Sequence, residues 1–177
     1  MKKKIVIVAF LAITLLSNVA IANYSEEYKT LYPKNVIVRT SQTKSGKTST
    51  HVQYKIFKAP KLGGLSLTIH DIDGVKTCAM AFSYLGDSWR FYDKFSWGDG
   101  NTVHEEKLFF GPLRQATGGR VIESITAIVN PVELKNAIVV HAHSQRNGDE
   151  LIMNETNKRW EEWKTALDIA DKLISDK

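Results

Sequence analysis

Apolar and polar side chains alternate with a period of two through Leu65, Leu67 and Ile69, and again through Cys78, Met80, Phe82 and Tyr84. That period is the signature of a strand with one buried face. Between the two runs stands Asp73-Gly74, a pair suited to a two-residue type I′ turn because both tolerate positive φ. A turn there sets Ile69 opposite Cys78, Leu67 opposite Met80 and Leu65 opposite Phe82, all on one face. Gly86-Asp87 is a second turn signal, and it would set Phe82 opposite Phe91 and Tyr84 opposite Trp89. Asp99-Gly100 is a third. It would pair Phe91 with Leu108 and Trp89 with Phe110 on the same face, and Lys94 with Glu105 on the other. Residues 65–110 therefore read as a meander of four antiparallel strands. A one-residue slip would turn the whole apolar set outward, so the agreement between turns and pattern fixes the register.

The rest of the chain extends this sheet. Residues 23–32 suit a short helix with Ser25 as N-cap and Pro33 as its stop. Strands are expected at 36–40 and 50–58, joined by a polar tip at 41–49, with 59–64 connecting to the meander. Residues 111–120 read as a loop in which Gly118-Gly119 is a turn; the lysine and further glycines of a phosphate loop are missing. Residues 121–129 alternate as a strand. Asn130-Pro131-Val132-Glu133 then has the N-cap, N1 and N3 residues of a helix of about two turns. A strand at 137–144 leads through Asn147-Gly148 to 151–153. The chain closes with a helix over 155–174, in which Trp160, Trp163, Leu167, Ala170 and Ile174 form one apolar stripe. The expected fold class is α+β: a largely antiparallel sheet of about seven or eight strands, covered on one face by that amphipathic helix.

The first residues belong to a different category. Three lysines precede an apolar run over 5–16, and Ala20-Ile21-Ala22 has the small-x-small pattern of a cleavage site. The run is shorter than the ~20 residues of a membrane span. Residues 1–22 thus read as a cleaved signal peptide of bacterial type, and residues 23–177 as a single exported domain, periplasmic or secreted, with no membrane span. Losing Lys2, Lys3 and Lys4 lowers Lys plus Arg from 24 to 21 against 19 acids, so the net charge falls from +5 to +2. Nothing in that balance calls for nucleic acid. The one cysteine, Cys78, falls on the inward phase of its strand, where it acts as a small buried hydrophobe.

Three groupings carry candidate chemistry. The register through Asp99-Gly100 sets Asp93 opposite Glu106 on the apolar face, beside Phe95 and His104. Two carboxyls there would share a proton and could work as acid and base, unless a bulge turns one outward. His141 and His143, at i and i+2 of a strand, point to one side and could reach one divalent ion such as zinc, given at least one more donor. Arg90, Tyr92, Lys94 and Lys107 fall on the outward face of the meander. Aromatic rings among basic groups suit a protein, glycan or cell-wall ligand. No nucleophile motif, complete metal set or phosphate loop stands beside them. The leading expectation is an exported, non-catalytic binding protein without a cofactor. The alternative is a small envelope hydrolase using a metal at His141 and His143, or the Asp93 and Glu106 pair.

Overall fold

A computed structural model describes residues 36–42, 48–59 and 63–175. The expected leader at 1–22, the helix at 23–32, and the central parts of the tip and of the connection, 43–47 and 60–62, lie outside those residues. The elements run β1 (Val36–Gln42), β2 (Thr48–Ala59), β3 (Gly63–Ile72), β4 (Val75–Gly86), β5 (Tyr92–Gly98), β6 (Val103–Glu106), β7 (Leu113–Thr117) and β8 (Arg120–Val129). A single helical turn α1 (Pro131–Leu134) follows, then β9 (Val139–Ser144), β10 (Gly148–Asn154) and the helix α2 (Trp160–Ser175). The fold class is α+β, as the alternation pattern implies. The antiparallel strands, however, divide between two sheets, one of order β1-β2-β3-β4-β8-β7 and one of order β10-β9-β5-β6.

The β3–β4 hairpin forms in the expected register, with Ile69 opposite Cys78, Leu67 opposite Met80 and Leu65 opposite Phe82. Asp73 and Gly74 both take positive φ, 55° and 81°. The expected turn at Gly86-Asp87 does not form. The free edge of β4 pairs with β8 instead, from Gly86 opposite Val121 to Cys78 opposite Val129. β8 is ten residues long, and its inward Val121, Ile125, Ala127 and Val129 give that edge an apolar phase interrupted only at Glu123, over a length the seven-residue β5 cannot match. Gly86 serves close packing instead. A Cβ at this position would lie 1.9 Å from the Tyr84 hydroxyl, so only glycine lets that ring lie across the strand.

Beyond Gly86 the chain leaves the first sheet and enters the second as β5. The β5–β6 loop is wider than expected. Asp99 Oδ1 accepts hydrogen bonds from the amides of Asn101 and Thr102, both at 2.8 Å, an Asx turn that extends the connection to residues 99–102. The register accordingly moves by two, with Phe95 opposite Glu106 and Trp97 opposite His104. A shift of two keeps every side chain on its face.

The core lies between the sheets. Met80, Phe82, Ile125 and Ala127 from the first sheet, and Tyr92, Phe95, Trp97, Val140 and Ala142 from the second, are all buried. The β2–β4 end of the same face is covered by α2 through Trp163, Ala166, Leu167, Ala170 and Leu173. The stripe is thus docked on its own sheet. Two polar stitches hold it. Tyr54 of β2 donates to Glu162, a buried acid in the first turn of α2 that also receives Arg159. Lys164 of α2 donates to the carbonyls of Lys135 and Ala137 just past α1, while Lys135 pairs with Asp168 and Asp171. Helix α2 starts at Trp160, later than expected, because 155–159 are taken up by turns in which Asn157 accepts from the Arg159 amide. At α1 the capping expectation holds: Asn130 accepts from Val132 N and donates to Glu133. That helix ends after one turn.

Two hairpins differ from expectation in detail. The segment read as a loop at 111–120 contains β7, which pairs with β8 through a two-residue turn at Gly118-Gly119, φ 55° and 77°. All of β7 is exposed, so no hydrophobic alternation marks it. The β9–β10 loop holds Gln145, Arg146 and Asn147, closed by Gly148 at φ 74°, rather than a two-residue Asn147-Gly148 turn.

Cys78 is buried with a free thiol, and burial pushes its pKa up from 9.0 to about 12. Stability from this shift is fully present below pH 9 and is lost as the pH rises toward 12. The expected result is a thiol that a disulfide reagent does not modify at pH 8 until denaturant is added, and a Cys78→Ser variant that is less stable but unchanged in binding. Rapid modification of the native protein would contradict this burial.

Candidate functional site

The passage from the first sheet to the second, residues 87–92, is fixed by a single buried acid. Glu123 occupies the inward phase of β8, between Val121 and Ile125, and is 0% exposed. Its carboxylate accepts from the backbone amides of Arg90, Phe91 and Tyr92 at 2.5, 3.2 and 3.3 Å. Arg114 of β7 completes the charge balance, with Nε 3.3 Å from Glu123 Oε2 and a further hydrogen bond to the Tyr92 carbonyl. Successive amides converge on one anion because Phe91 takes φ 59°, a left-handed value uncommon for a bulky residue. The Phe91 ring then lies beneath two guanidiniums, those of Arg114 and Arg146, each 5.3 Å from its centroid. Trp89 lies beside it, with centroids 6.4 Å apart.

Of the expected binding residues, Arg90 sits at this junction. Its Nε donates to the Tyr84 hydroxyl, and that bond is the main cause raising its pKa. Tyr92 is not on an outward face, which corrects the expectation. It is fully buried against Phe82 and Tyr84, with its hydroxyl donating to Glu150. Burial first, then that bond, raises its pKa strongly. The reason is the missing β4–β5 pairing: β5 faces the first sheet rather than extending it. Lys94 is half-exposed and reaches Glu105 diagonally across β5 and β6, since Ser96 is the residue directly opposite Glu105. Lys107 is exposed just past β6.

Asp93 and Glu106 do not oppose one another. A bulge between Tyr92 and Lys94 makes Asp93 the extra residue and turns it outward. There Asp93 Oδ1 lies 2.7 Å from His143 Nδ1, and Gln145 donates to Oδ2 at 3.0 Å. Burial pushes the Asp93 carboxyl up, but the bonds from His143 and Gln145 outweigh it, and the net shift is downward. Glu106 instead accepts from the Trp97 indole at 2.7 Å. Both acids line one cleft of about 600 Å³, together with Lys94, Glu105, Lys107, Leu108, Phe110 and Gly111. Along the same segment Phe109, Phe110 and Leu113 are 64%, 53% and 59% exposed, and the two phenylalanine rings meet edge to face at 5.5 Å.

His141 and His143 share one face of β9, as their spacing requires. His141 lies between Ser96 and Leu151, and neither neighbour is a metal donor of the expected kind. Among the described residues no group of three or more His, Cys, Asp or Glu side chains is placed to hold a metal ion. No helix of the described residues is long and apolar enough to cross a membrane.

The sequence reading missed Glu123, Arg114, Arg146 and Phe91. One signal was present: a glutamate on the apolar phase of a strand must be paired if that phase is buried. No family model, curated protein or solved structure matches the chain.

Proposed function

We propose that the chain is a small exported, non-catalytic binding protein, acting in the periplasm or outside the cell. Its partner docks at the cleft beside β6, on Phe110, which lines it, and on the exposed Phe109 and Leu113 of the same segment. The observation that carries this reading is the exposure of those three large apolar side chains along one short segment. Apolar side chains exposed along one segment that enters a cleft favour a partner that covers them. The charges in the cleft are largely matched internally, Lys94 by Glu105 and Asp93 by His143. Apolar contact with a protein therefore drives binding more than charge, and salt should weaken it little. The chain, immobilised and challenged with envelope extract, should retain a partner that a Phe109→Ala/Phe110→Ala variant loses, with the melting curve unchanged. Identical retention by both would sink the reading.

A hydrolase is the second reading, and one contact favours it. Asp93 orients the His143 imidazole through Nδ1, as a general base requires. Among the described residues no hydroxyl or thiol is hydrogen-bonded to that ring. A hydrolytic activity abolished by His143→Ala would move the assignment to this reading.

A further inference from the structure

Around the 87–92 passage three guanidiniums, from Arg90, Arg114 and Arg146, meet two carboxylates, Glu123 and Glu150. Both acids are committed. Glu123 is filled by three amides and Arg114, and Glu150 by the Tyr92 hydroxyl, Asn147 Nδ2 and a 3.9 Å approach from Arg90. Arg146 is the surplus cation. Its residue is exposed, and its guanidinium has a ring contact but no acidic partner among the described residues. A guanidinium has five N–H donors in a planar fork that matches a carboxylate. Stacking on Phe91 holds that fork in place at low entropic cost to a ligand. Half-buried Trp89, 6.4 Å from Phe91 between centroids, adds an aromatic surface beside it.

We infer that Arg146, stacked on Phe91, and Trp89, beside that same ring, form a subsite for an acidic sugar: its carboxylate pairs with Arg146 and its ring lies against Trp89. An aromatic surface next to a charged fork fits a pyranose bearing a carboxylate better than a bare anion, which would use only the fork. This subsite is separate from the Phe110 cleft, and neither depends on the other.

The test is calorimetric titration of the purified chain with trigalacturonate, beside neutral maltotriose and inorganic phosphate. Trigalacturonate should bind, maltotriose should not, and phosphate should bind more weakly. Arg146→Ala should weaken trigalacturonate binding at least about tenfold, as loss of a bidentate charged contact requires, and Arg146→Lys should restore part of it. Because Arg146 is exposed and unpaired in charge, the melting curve of Arg146→Ala should match the parent. Trp89→Ala should weaken trigalacturonate but not phosphate. The proposal is overturned by the absence of trigalacturonate binding at millimolar concentration, or by binding that Arg146→Ala leaves intact. It is equally overturned if maltotriose or phosphate binds as tightly as the uronate. Phe110→Ala should leave this binding unchanged, which keeps the result independent of the partner cleft.

Discussion

Glu123→Ala should destabilise the protein by about 3–5 kcal/mol, the cost of leaving a buried charge network without one partner. The substitution strips the acceptor from the amides of Arg90, Phe91 and Tyr92 and leaves Arg114 over a void. Water cannot readily replace the carboxylate, since Glu123 is completely buried. Each unsatisfied amide adds its own desolvation cost. Glu123→Gln should cost less, because the side-chain carbonyl can still accept from two amides while the new NH₂ faces the third. Urea unfolding followed by circular dichroism checks the order: alanine least stable, glutamine between. An unchanged midpoint for Glu123→Ala would show that the 87–92 passage holds itself without this acid. Fluorescence of Trp89 should report loosening of the passage in the same variants.

Trp163→Ala should be comparably severe, about 3–5 kcal/mol, from lost transfer energy and the cavity left behind. Among the described residues Trp163 is the largest fully buried side chain, and it joins α2 to the sheet. Its indole Nε1 is the one buried side-chain polar atom among the described residues with no hydrogen-bond partner. That detail separates two variants. Trp163→Phe loses part of the volume but also removes the unpaired N–H, so its cost should be well below that of alanine. Thermal melts of the two variants against the parent make the comparison. A Trp163→Ala protein melting with the parent would mean that α2 is not docked in solution.

Local signals carried most of the architecture. The β3–β4 hairpin was legible because its turn needs two residues of positive φ and its strands alternate cleanly, two independent constraints on one register. The Asn130 cap and the stripe through Trp163 and Leu167 were legible for the same reason, since the chemistry and the geometry are both local. What failed was the choice between partners. Gly86-Asp87 resembles a turn, yet β4 joins β8 some forty residues later, because β8 offers the longer apolar edge. Alternation shows which face is buried, not which strand lies beside it. The displacement of Asp93 followed from a bulge, which steps the inward phase by one residue between Tyr92 and Phe95, and that of Glu106 from an Asx turn, which moves the register by two and leaves the phase unchanged. The arginine–phenylalanine junction was hidden for a further reason: its members lie at positions 91, 114, 123 and 146, and only the fold brings them together.

The placement of α2 has a consequence for how the chain matures. The β2–β4 end of the apolar sheet face is covered by residues 160–175, which are made after all the described strands. Until they emerge, Leu65 and Leu67 lack the helix that covers their end of the sheet, and β4 has only β3 beside it until β8 has been made. The nascent chain therefore completes its core only once residue 175 has been made, and a stop codon before position 160 should yield an insoluble product rather than a smaller folded one. A sheet whose lid is made this much later stays open through most of its own synthesis, with its apolar face free to be held by a chaperone before it locks.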